Sequence, residues 1–121
     1  MKEEWCPSHI IGCECSVNNV SYDATDLIIE VEPFNDKGVL KLIFRNIFSY
    51  RITLEHFRWC DDSIDTRKHT IYEVHNSRYI EWLNNAGLRE LYDKAQVHHY
   101  AIKTTEHIID VLTPETMEII Q

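Results

Sequence analysis

The sequence predicts an α+β domain: a mostly antiparallel β-sheet of about five to seven strands, with one or two short helices between residues 77 and 95. Segments with alternating apolar and polar residues recur before position 77 and after position 95, while helical spacing is confined to the part between them. The chain has 121 residues, of which 44% are hydrophobic and 26% charged. This length and composition are typical of one globular domain spanning residues 1–121.

The firmest element is a β-hairpin from residue 26 to residue 45. In "DLIIEVEPF", Leu27, Ile29 and Val31 share one face of a strand, because side chains alternate across a strand with a period of two. The following "NDKG" supplies turn residues, with Gly38 free to take a positive φ, and "VLKLIF" provides the returning strand.

Further strands are predicted on both sides of this hairpin. Residues 13–22, "CECSVNNVSY", alternate loosely and form a first strand. Residues 48–54 continue the apolar alternation, either as a further strand or as an extension past a bulge. The polar stretch 59–68 is predicted to be a loop, and "HTIYEVHN" at 69–76 is another strand.

The helical part begins at "SRYIEWLNNAG", where Ser77 can cap the first turn and Gly87 can end the helix. Residues 88–95, "LRELYDKA", carry apolar side chains at helical spacing and predict a second helical piece. The chain then returns to strands, because "HHYAIKTTEHIIDVL" pairs two apolar runs around a turn at residues 104–106.

Charge and hydropathy exclude several function classes. Twenty acidic residues against 12 Lys and Arg give a formal net charge of −8, which works against binding nucleic acid or an anionic membrane. The start "MKEEWCPSHI" lacks the basic and apolar regions of a secretory signal, and no stretch approaches the about 18 apolar residues of a membrane span. We therefore expect a cytoplasmic protein whose cysteines stay reduced and which needs no cofactor.

The densest chemistry in the sequence is the segment "WCPSHIIGCEC". Cys6, His9, Cys13 and Cys15 are all of zinc-ligand type, and four such residues suffice for a tetrahedral site. Structural zinc sites usually separate two chelating pairs by a longer loop than the three residues found here. We favour buried thiols, with Cys13 and Cys15 on one face of a strand, and keep a small zinc-binding protein as the alternative.

The histidines are interpreted as surface or partly buried structural residues. His98 and His99 are adjacent, so on a strand they would point to opposite faces and could not easily chelate one ion. With three glycines in the chain, a phosphate-binding loop is hard to build. We expect a non-enzymatic protein, and the further alternative is a small-molecule enzyme that uses histidines in a sheet-lined pocket.

The best candidate for a partner-binding surface is "EHFRWCDDSID". It combines two aromatic side chains with three aspartates in and beside a predicted loop, and aromatic residues anchor many protein interfaces. We predict that this segment contacts another protein through Phe57, Trp59, Asp61, Asp62 and Asp65.

Three stretches together carry a resemblance: "DLIIEV" with "VLKLIFRNIFSYRI", then "SRYIEWL", and finally "HHYAIKTTEHIIDVL". Their order resembles a group of small cytosolic firmicute proteins, some of them encoded beside polymorphic toxins and regarded as their immunity proteins. The resemblance implies an acidic domain that covers a basic toxin. A homodimer is a further option, through an exposed "DLIIEV" edge, although Glu30, Glu32 and Pro33 oppose such pairing.

Overall fold

The computed structural model describes residues 2–35, 37–59, 65, 67–88 and 96–121. Within these ranges the chain forms nine strands and one short α-helix. The strands are β1 (Glu4–Ile10), β2 (Cys15–Tyr22), β3 (Leu27–Pro33), β4 (Leu40–Phe44), β5 (Ser49–Leu54), β6 (His69–His75), β7 (His98–Lys103), β8 (His107–Thr113) and β9 (Glu118–Ile120), and the helix is α1 (Arg78–Leu83). No helix in the described ranges has the length and apolar character needed to span a membrane.

The strands form two antiparallel sheets. Sheet A has the order β1-β6-β7-β8-β5, and sheet B has the order β2-β3-β4-β9. The predicted α+β class with a mostly antiparallel sheet is confirmed. The predicted number of strands was too low, because the cysteine-bearing start forms β1 and the C-terminal residues form β9.

The main hydrophobic core lies between the two sheets. Leu27, Ile29 and Val31 are fully buried, as the period-two pattern predicted. The ring centroids of Phe44 and Tyr100 lie 5.7 Å apart, which joins β4 of sheet B to β7 of sheet A. Each of these large apolar side chains contributes roughly 1.5–3 kcal/mol by leaving water, so the burial of this layer strongly favours folding.

Both predicted hairpins are confirmed. Strands β3 and β4 pair in register from Leu27 opposite Phe44 to Val31 opposite Leu40, and Gly38 has a φ of +90°. Strands β7 and β8 pair from His98 opposite Thr113 onwards, with the amide of Thr104 donating to the carbonyl of His107 at the turn.

The segment after β4 does not extend sheet B. Asn46 takes a positive φ of 52°, and the chain then enters sheet A as β5, whose neighbour is β8. Tyr50, Ile52 and Leu54 remain exposed although they form the apolar face of β5. A period-two pattern identifies a strand but does not say how completely its apolar face is covered.

The "DLIIEV" strand is not an edge strand. It forms most of β3, which pairs with β2 on one side and with β4 on the other. The idea that this strand pairs with a second copy of the chain is therefore wrong, because its backbone groups are used inside sheet B.

The helix begins as predicted. Ser77 is the N-cap of α1, and its Oγ accepts a hydrogen bond from the amide of Ile80. A π-turn at Asn84–Leu88 follows, in which Gly87 has a φ of +109°. The predicted second helical piece at 88–95 lies almost wholly outside the described residues, as does most of the predicted loop at 59–68.

Candidate functional site

The side of sheet A that faces away from sheet B carries a cluster of polar and charged side chains. We call it the outer-face cluster and define it as Glu3, Arg51, Arg58, Ser77, His99 and Asp110. Alternation along the strands places its two central members. On β7, Tyr100 and Ile102 point into the main core and His99 points outward; on β8, Ile109 and Val111 flank an outward-pointing Asp110.

Asp110 is the centre of this cluster. Its Oδ1 accepts a hydrogen bond of 2.7 Å from Nε2 of His99, and both side chains are fully buried. Arg58 donates to both carboxylate oxygens at 3.1 Å, from Nη2 to Oδ1 and from Nε to Oδ2. Arg51 adds a further hydrogen bond of 3.1 Å to Oδ2.

The pKa of Asp110 reports the balance of these interactions. Burial on its own raises the pKa of this carboxyl, because it removes water from the charged form. The hydrogen bonds from His99 and Arg58, and the charge of Arg58, outweigh burial and hold the pKa of Asp110 well below its usual range. Asp110 is therefore a carboxylate throughout the physiological pH range.

A chain of hydrogen bonds connects Asp110 to the start of α1. Ser77 Oγ lies 2.7 Å from Nδ1 of His99, so with a neutral ring the hydroxyl donates to Nδ1 while Nε2–H donates to Asp110. The same Ser77 oxygen caps α1 by accepting from Ile80. Tyr79, in the first turn, places its ring edge-on to His99 at 5.6 Å.

Glu3 completes the cluster from the N-terminal side. Its Oε2 accepts from the amide of Arg78 at 2.8 Å, and its Oε1 lies 3.9 Å from Nη2 of Arg58. Within the cluster, two carboxylates thus face two guanidinium groups. Buried charges are tolerated when each has a partner of opposite sign and hydrogen bonds, and both conditions are met here.

Arg58 also determines how its neighbours are displayed. Its backbone is extended, with φ −122° and ψ 124°, so successive side chains alternate in direction. Its guanidinium carbon lies 5.2 Å from the ring centroid of Trp5, on the buried side. Phe57 and Trp59, on either side of it in sequence, are 73% and 45% exposed. The arginine is an anchor, and the two aromatic rings are presented to solvent.

Two cavities lie beside this region. One, of about 360 Å³, is lined by Lys2, Glu3, Trp59 and Arg78, and Lys2 Nζ is 5.8 Å from the ring centroid of Trp59. The other, of about 290 Å³, is lined by Ser49, Tyr50, Arg51, Tyr79 and Trp82. The described linings offer aromatic faces, cations, one carboxylate and one serine hydroxyl, and they contain no histidine or cysteine.

The order Ser77–His99–Asp110 resembles a nucleophile, base and orienting acid, but its surroundings favour a positioning role. His99 has no exposed surface through which a substrate could reach the ring. Asp110 is shared between the imidazole and two guanidinium groups, and the Ser77 oxygen already accepts a hydrogen bond as the helix cap. We therefore infer that the hydrogen bonds from Ser77 to His99 and from His99 to Asp110 hold α1 against sheet A. The sequence-based interpretation of His99 as surface or partly buried was wrong, because this position of β7 is covered by α1.

The N-terminal cysteines and histidine are not brought together as a metal site. Among the described residues, which include Cys6, His9, Cys13 and Cys15, no group of three or more His, Cys, Asp or Glu side chains is arranged to hold a metal ion. Cys15 is fully buried in the main core, where its Sγ accepts from Thr70 Oγ1 at 3.3 Å. Burial raises the pKa of the Cys15 thiol. Cys13 precedes β2 rather than lying within it, so the two do not share a strand face.

The predicted contact residues have different environments. Phe57 and Trp59 are exposed, as described above. Asp65 stabilises a turn, since its carboxylate accepts from the amide of Arg67 at 3.0 Å, and this hydrogen bond lowers its pKa. Asp61 and Asp62 lie outside the described residues.

Sequence reasoning missed the roles of Arg58, His99 and Asp110. One signal was available: Asp110 is a charged residue in the apolar run "HIIDVL", where a buried carboxylate needs a partner. The partner itself was not predictable, because it lies 52 positions away in sequence.

Comparisons with known proteins add no assignment. No protein-family model matches the chain, and no curated protein or solved structure matches it.

Proposed function

We propose that the chain is a non-enzymatic protein-binding domain whose contact surface is centred on Phe57 and Trp59. The observation that carries the proposal is the anchoring of Arg58. Its guanidinium is fixed to buried Asp110 by two hydrogen bonds, while the aromatic residue on each side is exposed.

An anchored pair of aromatic rings is suited to binding. Large apolar side chains that remain in water favour association, and aromatic residues provide much of the binding energy at protein interfaces. Association costs less conformational entropy when the contact residues are held in place before binding. The Arg58–Asp110 contact holds the backbone between Phe57 and Trp59 in this way.

The proposed contact surface includes a cavity that a side chain of the partner could enter. Trp59 forms one wall of the cavity of about 360 Å³, and Lys2 and Arg78 bring positive charge to it. An acidic or aromatic side chain of the partner would fit this lining, since cations attract both carboxylates and ring faces.

The overall charge favours a basic partner, such as a toxin covered by its immunity protein. A net charge of −8 steers a positively charged protein toward the domain from a distance, although two of the described residues beside Trp59, Lys2 and Arg78, are cationic. Steering by the whole surface and close contact at the aromatic pair are compatible, because they act at different separations.

The test is capture of a partner from the native host by the immobilised domain at low salt. We compare the wild type with the double variant F57A/W59A and with F34A, which removes an exposed aromatic ring elsewhere. The captured protein is then identified and titrated against each variant.

The expected result is that F57A/W59A weakens binding about 100-fold, as for loss of interface hot spots, whereas F34A leaves it unchanged. Binding should also weaken as ionic strength rises. Equal capture by all three proteins, or capture of nothing, contradicts the proposal.

A further inference from the structure

The four sheet edges of the described structure are not equally protected. Edge strands that could pair with other chains are normally short, bulged or interrupted by proline. Strand β1 contains Pro7 and two register shifts, β2 has a register shift between Val17 and Asn19, and β9 has three residues. Strand β5 has six residues in unbroken register with β8 and contains no proline.

Charged side chains, which often prevent edge strands from pairing, are also scarce on β5. Its sequence, "SYRITL", contains one charged residue, Arg51. That side chain is drawn onto the sheet face, with Nε bonded to Asp110 and its guanidinium carbon 4.1 Å from the ring centroid of Tyr79. In a protein of net charge −8, β5 is a place where two copies can approach without opposing carboxylates.

Among the described strands, none pairs with the outer edge of β5, and the apolar side chains of β5 are exposed. The amide of Glu55 donates to the carbonyl of Glu106 across the β5–β8 ladder. Amide directions alternate along an antiparallel strand, so the amides of Tyr50, Ile52 and Leu54 face away from β8. The side chains of these three residues are also exposed.

The order of residues makes β5 complementary to itself. In an antiparallel pair of copies centred on Ile52, each Ile52 lies opposite its counterpart, and Tyr50 lies opposite Leu54. On the other face Arg51 lies opposite Thr53, so no like charges meet. A pair centred on Arg51 would place the two guanidinium groups opposite each other, which is unfavourable.

We propose that two copies of this chain associate through their β5 strands, antiparallel and centred on Ile52, and so join their A sheets into one continuous sheet. We choose a second copy as the partner of this edge because, in this register, apolar residues of one β5 lie opposite apolar residues of the other, and each Arg51 lies opposite Thr53. The proposal does not depend on the proposed contact surface at Phe57 and Trp59.

The test measures molar mass by sedimentation equilibrium from about 1 µM to about 500 µM, which covers micromolar to near-millimolar dissociation constants. The wild type should rise from 14.4 kDa toward twice that value. The variant I52D places two carboxylates opposite each other and should raise the dissociation constant at least about 10-fold. The matched control is I120D, because Ile120 is 47% exposed and Ile52 is 48% exposed.

A second variant tests the register. Opposed residues whose amides face each other have Cα atoms about 5.5 Å apart, within reach of a disulfide. I52C should therefore form a linkage between residues 52 of two copies under mild oxidation, and R51C should form much less of the corresponding linkage. Circular dichroism confirms that each variant is folded.

Each outcome is decisive. A wild type that stays at the monomer mass throughout the concentration range overturns the proposal. A dimer that I52D and I120D affect equally, or cross-linking through R51C rather than I52C, also overturns it.

Discussion

Arg58 and Asp110 meet on the outer face of sheet A through two hydrogen bonds of 3.1 Å, although 52 residues separate them in sequence. This contact ties the segment after β5 to the centre of β8. It also explains why Asp110 can occupy a fully buried position, since the guanidinium supplies the opposite charge that the carboxylate needs.

Replacing Arg58 by methionine should destabilise the fold strongly. R58M leaves Asp110 buried without its main guanidinium partner, and breaking a buried ion pair from one side costs about 3–5 kcal/mol. Urea unfolding at neutral pH measures the loss. R45M is the control: Arg45 forms its ion pairs on the exposed surface, where solvent weakens them, so this substitution should have a much smaller effect.

A double variant measures the interaction free energy between Arg58 and Asp110 separately from the effect of each substitution alone. R58M/D110L removes both charges, so it should be less destabilised than the sum of the two single variants. The coupling free energy from this double-mutant cycle should exceed about 1 kcal/mol. Additive effects would show that the two side chains do not interact in solution as they do in the structure.

Asp110 should make the protein sensitive to acid. Its pKa is lower in the folded state than in the unfolded chain, so protonation favours unfolding. The stability that it contributes is present above the unfolded pKa of about 3.9 and is lost as the pH falls below it toward the folded value. Urea unfolding between about pH 6 and about pH 3 measures this loss.

The variant D110N isolates the contribution of this one carboxyl. It should be less stable than the wild type at pH 6, and the difference between the two should shrink as the pH falls. Other carboxyls titrate in both proteins and cancel in the comparison. A difference that stays constant over this range would contradict the depressed pKa.

Ser77 should contribute through both of its hydrogen bonds. S77A removes the helix cap, which should lower the free energy of unfolding by about 1 kcal/mol. It also leaves Nδ1 of buried His99 without a hydrogen-bond donor, which should lower the free energy of unfolding by about 1–3 kcal/mol more. S77T retains a hydroxyl that can serve both groups and should keep most of the stability. Thermal unfolding of the two variants measures the difference, and equal losses would argue against the hydrogen-bond chain.

The cysteines should differ in reactivity. In a C60S background, iodoacetamide should modify the half-buried Cys6 and Cys13 at least about 100-fold faster than Cys15, whose thiol is buried and has a raised pKa. Peptide mapping by mass spectrometry gives the three rates. In denaturant the rates should converge, and similar rates in the folded protein would place Cys15 outside the core.

Much of the fold was predictable because it depends on local patterns. The alternation of Leu27, Ile29 and Val31 predicted a strand with a buried face, and Ser77 predicted the start of the helix. Phe57 and Trp59 were predicted as contact residues; both are exposed, and their role in binding stays a proposal. The strand at Glu4–Ile10 was not predicted; it contains Pro7, and proline is depleted in strands because it cannot donate to the ladder.

The sequence by itself determined the periodicity of the strands, the two hairpins and the helix cap, because each depends on residues that are close together in the chain. It also determined the net negative charge, which follows from the composition alone. Only the tertiary structure decided that β5 joins sheet A, that β3 lies inside sheet B and that Arg58 pairs with Asp110. The physical reason is that a local pattern records which side of a strand avoids water, whereas the neighbour of a strand and the partner of a buried charge come from distant parts of the chain.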